Sequence, residues 1–135
     1  MTVLYSLVGG QVHPYKFNKE QKIILVGVPG AFTPTCTNEH LPGFAKGLDK
    51  LKGYKVAFFS SNDCSVMEEW NKLYGHKDID SLSDHSGEFA KTLGEAVDFG
   101  PTYGWRNNRC AYLIENGEVV KKFADPFLDG VLKEL

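Results

Sequence analysis

The strongest nucleophiles in the sequence are three thiols, Cys36, Cys64 and Cys110. A cysteine attacks as its thiolate, so the question for each is what would hold negative charge on its sulfur. Cys36 carries an answer in its own segment. It follows Thr33-Pro34-Thr35, in which Thr33 suits a helix N-cap and Pro34 the first helical position. Cys36 then lies in the first turn, where backbone N–H groups lack partners and the helix dipole is positive. The Thr33 hydroxyl can accept from a helix N–H and donate toward the sulfur or an oxygen bound beside it.

The other candidates are weaker. His40 stands four residues after Cys36, on the same helix face, and such a Cys–His pair also fits a cysteine hydrolase with histidine as base. Cys64 follows Asn62-Asp63 at the end of an expected strand, on the same sheet edge as Cys36. It reads either as a partner for an oxidised Cys36 or as a plain helix-start residue. Cys110 reads as core, on the opposite side of a strand from its neighbour Arg109. Alone, Arg109 and Arg106 read as surface or loop residues. An odd number of cysteines without C-x-x-C spacing makes a poor disulfide framework. His13, His40, His76 and His85 lack ligand spacing, so no metal and no organic cofactor is expected.

These residues need elements to hold them. Ile23 to Val28 is a continuous apolar run, as in a strand buried on both faces, and Pro29-Gly30 ends it. A helix is expected from Pro34 to about Leu51, bent or broken at Pro42-Gly43. Tyr54 to Ser60 reads as a second buried strand. Ser65 with Glu68 reads as a capping box opening a helix to about Tyr74. A short strand at Ile79 to Leu82 and a helix from Glu88 to Val97 follow. Arg109 to Ile114 and Glu118 to Phe123 flank Asn116-Gly117, a hairpin signal. A last helix is expected from about Pro126, and further strands at Thr2 to Val8 and Gln11 to Phe17. The alternation predicts a single α/β domain over residues 1–135, with a mixed central sheet flanked by helices in a thioredoxin-like arrangement. In such sheets sites form beyond the carboxyl ends of the parallel strands, which is where Cys36 falls.

The run Val28-Pro29-Gly30-Ala31-Phe32-Thr33-Pro34-Thr35-Cys36-Thr37, with His40-Leu41-Pro42-Gly43-Phe44 after it, resembles the active-site segment of peroxiredoxins. The match is to the atypical type-5 subfamily, called type II in plants. Ser61-Asn62-Asp63 and Arg109 to Gly117 resemble two further stretches of that family. The resemblance implies that Cys36 attacks hydroperoxides and becomes a sulfenic acid, and that Thr33 orients thiolate and peroxide. It implies that Arg109 stabilises the charges involved. Pro29, with Gly30, would limit solvent access and line the substrate pocket. The family's resolving positions have no match here: no cysteine follows Cys110, and the plant-type position falls near Phe58. Cys64 is the remaining candidate for resolution. An external thiol is therefore the expected reductant, glutathione with glutaredoxin ahead of thioredoxin. A homodimer is implied as well. A peroxide sensor or redox relay would use the same cysteine.

Composition narrows the partners. The net charge of −2 offers no basic footprint for nucleic acid. No apolar run approaches the roughly 20 residues needed to span a membrane. The start, Met1-Thr2-Val3-Leu4-Tyr5, has neither a signal-peptide nor a myristoylation pattern, so a cytoplasmic protein is expected.

Overall fold

The computed structural model describes residues 3–135. Its centre is the pair β3 (Lys22–Gly27) and β4 (Tyr54–Ser60), parallel and in register from Lys22↔Tyr54 to Gly27↔Phe59. β5 (Ile79–Ser83) extends β4 in parallel. β8 (Cys110–Glu115) runs antiparallel against β3, and β9 (Glu118–Lys122) against β8. The N-terminal hairpin of β1 (Leu4–Val8) and β2 (Gln11–Tyr15) completes a seven-stranded sheet in the order β2-β1-β5-β4-β3-β8-β9. Its two-residue turn, Gly9-Gly10, has both φ angles positive, the conformation a tight hairpin favours. The expected start of β1 at Thr2 lies outside the described residues.

Side-chain alternation along β3 and β4 builds two cores. Ile24, Val26, Val56 and Phe58 face α1 (Leu41–Lys46), α2 (Cys64–Tyr74) and α4 (Leu128–Glu134). Ile23, Leu25, Ala57 and Phe59 face the other way, against Phe89 of α3 (Glu88–Leu93). Helices therefore cover both faces of a mixed sheet, the expected fold class.

Several boundaries differ from the sequence reading, each for a local reason. The first long helix ends at Gly47, followed by a 3-10 turn at Leu48–Leu51. A Cβ on Gly47 would meet Leu128 Cδ2 at 2.2 Å, so glycine here admits α4. α2 is capped by Asp63, whose carboxylate accepts from the Val66 N–H at 2.9 Å, and not by Ser65. α3 stops at Gly94, which takes a left-handed φ of 74°. The chain then forms β6 (Ala96–Asp98) instead of continuing to Val97 as helix. β6 pairs with β7 (Trp105–Asn107) in a small separate ladder absent from the sequence reading.

Cys110 is core, as its strand position predicts. Burial pushes its thiol up to about 12. It lies against Gly27, where a Cβ would stand 2.7 Å from Cys110 Sγ and 2.8 Å from Phe59 Cζ. Gly27→Ala is expected to cost about 1–3 kcal/mol through overpacking. In urea denaturation, Gly27→Ala with Cys110→Ala should lose less stability than the two single losses added together. Simple additivity would show that the sulfur does not set the clash.

Candidate active site

The segment after β3 is fixed at both ends. Val28 N–H donates to Phe59 O at 2.9 Å, and Ala31 N–H donates to Asn62 Oδ1 at 2.9 Å. Asn62 in turn accepts from the Ser60 hydroxyl at 2.7 Å, so the turn after β4 holds the loop after β3. Directly after the second anchor Phe32 adopts a positive φ of 64°, uncommon for a residue with a side chain. Its half-exposed ring meets Tyr74 edge-on at 6.2 Å.

The helix begins at Pro34, with Thr37 N–H donating to Thr33 O at 3.0 Å. Thr33 thus occupies the cap position through its backbone. Its hydroxyl, expected to accept from the helix, instead donates to Gly30 O at 2.6 Å. The oxygen's lone pairs remain for another donor. Cys36–His40 then forms a widened π turn, in which Leu41 N–H reaches back to Cys36 O. Pro42 supplies the cause. It has no N–H to donate, and its ring would crowd the carbonyl four residues earlier in a regular helix. The expected bend at Pro42-Gly43 is therefore a widened turn placed on Cys36 itself.

Cys36 is fully buried. Arg109, just ahead of β8, directs its guanidinium at the sulfur, with Nη2 3.1 Å from Sγ. Arg109 Nη1 lies 2.8 Å from His40 Nδ1. Arginine can only donate, so Nδ1 accepts and the His40 proton sits on Nε2, which donates to Pro126 O at 2.8 Å. The His40 ring stacks on Phe127 at 4.4 Å, and the Arg109 guanidinium lies 5.5 Å from the same ring. His40 is therefore no free base for a hydrolase, because both ring nitrogens are engaged. It positions Arg109, a role the spacing to Cys36 alone did not disclose.

A cleft of about 270 Å³ opens beside this group, lined by Pro29, Thr33, Phe99, Tyr103, Arg106 and Arg109 among others. Gly30 does not line it but backs it. A Cβ there would meet Arg106 Nη1 at 2.6 Å. Arg106 is a wall of the site, not loose surface, and donates to Pro29 O and Tyr103 O. Cys64 is nearly buried at the start of α2, and burial pushes its thiol up. Among the described residues no cluster of His, Cys, Asp and Glu has the makings of a metal site.

A buried thiol, a guanidinium on its sulfur and a narrow cleft thus lie together at one place in the fold. The redoxin family model matches residues 4–134. Peroxiredoxin-2B of Arabidopsis thaliana is 38% identical over 127 residues, which is 85% of this chain and 78% of that protein. The chain belongs to the peroxiredoxin family. Among solved structures, reduced Prx3 of Vibrio vulnificus in complex with hydrogen peroxide superposes with a TM-score of 0.89. It is 30% identical, covering 98% of this chain and 92% of that one. Peroxiredoxin 5 from Alvinella pompejana gives 0.80 at 30% identity, covering 98% and 89%. A peroxiredoxin is a thiol peroxidase, an oxidoreductase that takes a peroxide substrate and a thiol reductant, and this chain is one on these grounds. No helix among the described residues is long and apolar enough to cross a membrane.

The neutral His40 links this centre to pH. Burial is the main cause that lowers its pKa from 6.5 to about 4, and the Arg109 charge adds to it. The bond to Pro126 and the Asp125 charge oppose the shift. Between those two values the unfolded chain binds a proton that the folded one does not. This group's stabilisation is therefore full above pH 6.5 and is lost as pH falls toward 4, by about 3 kcal/mol at full extent. His40→Gln keeps an acceptor for Arg109 and a donor for Pro126. Urea titrations from pH 7 to 4 should show a flatter decline in His40→Gln than in the parent. An identical slope would mean that His40 does not titrate in this window.

Proposed function

We propose that Cys36 is the peroxidatic nucleophile, and the observation that carries this is the Arg109 Nη2 contact of 3.1 Å to its fully buried sulfur. The Cys36 thiolate attacks the terminal oxygen of hydrogen peroxide or a small alkyl hydroperoxide. An S–O bond forms and the O–O bond breaks, leaving a sulfenic acid and a hydroxide or alkoxide that takes a proton to leave as water or alcohol. Negative charge moves from sulfur to the departing oxygen. A guanidinium fixed beforehand at that place stabilises both ends of the movement without reorganising. Thr33 offers hydroxyl lone pairs to the peroxide's proton, because its own proton is committed to Gly30 O. Pro29 and Gly30 shape the approach and restrict water.

The sulfenic acid is regenerated from outside the chain. An external thiol attacks the sulfenic sulfur, expelling water and forming a mixed disulfide, and a second thiol releases Cys36. Glutathione with glutaredoxin is favoured over thioredoxin. Cys110 supports this because it belongs to the opposite face of the sheet, and Cys64 because it is nearly buried with a raised thiol pKa. Cys64 as a resolving partner is the lesser reading. A homodimer through the surface around the site is proposed too, with the exposed Phe32–Tyr74 pair as apolar contact. A cytoplasmic location is the reading for this chain, although one relative, from Lipomyces kononenkoae, is named a putative peroxisomal peroxiredoxin.

Cys36→Ser should abolish multiple-turnover peroxide consumption, and Arg109→Lys should lower kcat/KM by about 10²–10³. Retained turnover in Cys36→Ser would sink the assignment. A single stoichiometric oxidation of the parent would make the cysteine a sensor. After one equivalent of peroxide, intact mass should show gain of one oxygen in the parent and in Cys64→Ser alike. Loss of two hydrogens, absent in Cys64→Ser, would instead make Cys64 the resolving residue.

A further inference from the structure

A second cavity, of about 370 Å³, shares Arg106 with the cleft lined by Arg109, whose guanidinium meets the Cys36 sulfur. Asn107 lines it and is 1% exposed. Its Nδ2 donates to Val28 O at 3.0 Å and Asn108 O at 2.9 Å, which fixes the orientation of the amide. Oδ1 is left buried with no hydrogen-bond partner among the described residues. Such an oxygen is rare in a folded protein and calls for a donor from outside. The surrounding charge favours an anion. Lys91 and Arg106 supply the positive charge, and the His85 ring lines the same space. Lys91 also meets the exposed Glu88 carboxylate at 3.6 Å, and among the described residues Arg106 Nη2 has no hydrogen bond once Nε and Nη1 have met Tyr103 O and Pro29 O. Asp84 is the opposing carboxylate, but its two oxygens already accept from the Phe89 and Ala90 N–H groups. Trp105, 66% exposed, supplies an apolar wall.

A donor for Asn107 beside an anion for Arg106 and Lys91 describes the end of a peptide: an amide N–H next to a carboxylate. We propose that this cavity is the docking site for a small acidic peptide thiol of the glutathione class. The carboxylate meets Arg106 and Lys91, the amide N–H meets Asn107 Oδ1, and the chain crosses Arg106 toward Cys36. A tripeptide extends about 10 Å, enough to straddle one side chain. This inference rests on the reading that an external thiol regenerates Cys36.

The test uses the full chain with S-methylglutathione, which keeps the peptide and cannot react. Saturable shifts of the Trp105 indole and Asn107 amide resonances are expected. Lys91→Glu should weaken this binding about tenfold, the loss of one charge-assisted contact. In turnover, the ratio of glutathione-supported to 2-mercaptoethanol-supported rates should fall by a similar factor in Lys91→Glu. No shift at Trp105 and Asn107, or an unchanged ratio, overturns the docking site. Glutathione turnover without any shift would do so while leaving the peroxidase reading intact. Saturable binding with no glutathione-supported turnover overturns the regeneration reading, and the docking role with it.

Discussion

The contact between Arg109 and Cys36 is the constraint around which the site is built. A fully buried sulfur can carry negative charge only if a compensating charge is buried with it. Arg109 supplies that charge, but a long flexible side chain would pay conformational entropy on every visit to the sulfur. The structure removes that freedom beforehand. The Arg109 side chain is held at Nη1 by His40 and lies against the Phe127 ring, and both of those are tied to the segment leading into α4. The backbone beside it is fixed as well. Asn108 N–H donates to Glu95 O at 2.8 Å, and Asn108 Nδ2 donates to the buried Glu95 carboxylate at 3.1 Å. Glu95 also accepts from Tyr112 and pairs with Lys122 at 2.9 Å, so both strands of the last hairpin share in the placement of Arg109.

The sulfur's own position comes from the other half of the chain. Pro42 widens the turn that begins at Cys36, and the positive φ of Phe32 marks a loop bent away from its preferred geometry. Neither feature would persist unless its surroundings held it. Asn62 holds the loop from below, and the buried Trp70 holds the turn by donating from Nε1 to Thr37 Oγ1 at 2.9 Å. Two separate parts of the sequence thus meet at one atom, each stiffened before it arrives.

Sequence periodicity disclosed the elements whose burial is simple. β3 and β4 are continuous apolar runs, and both proved to be central strands with helices on each side. What it missed was set by single residues acting at a distance. Gly94 turned the expected end of a helix into β6, and β7 was illegible because three residues around Trp105 carry no alternation long enough to count. The candidate site was legible through Cys36, Thr33 and Arg109, largely because a resemblance covered them. His40 and Asn62 fell within the resembling stretches and Arg106 read as surface or loop, but the positioning role of each stayed hidden, since each works through a partner remote in sequence. His40 reaches residues 69 and 86 positions away, and no spacing rule spans such separations.

Three cysteines in one small protein also show how little the residue type decides. Cys110 lies in the second core, against Gly27 and Phe59, where burial raises its thiol pKa and the neighbouring Glu95 carboxylate adds to the effect. Cys64 opens a helix, yet its neighbours there include the Asp63 carboxylate, which opposes a thiolate. A helix start is therefore insufficient by itself to make a nucleophile. Cys36 combines what the others lack: a cation directed at the sulfur, no carboxylate hydrogen-bonded to it among the described residues, and a cleft beside it lined by that same cation. Cys110 and Cys36 are both buried, and the guanidinium 3.1 Å from the Cys36 sulfur is what supports the proposed nucleophile there. The difference lies in whether a positive charge was buried alongside.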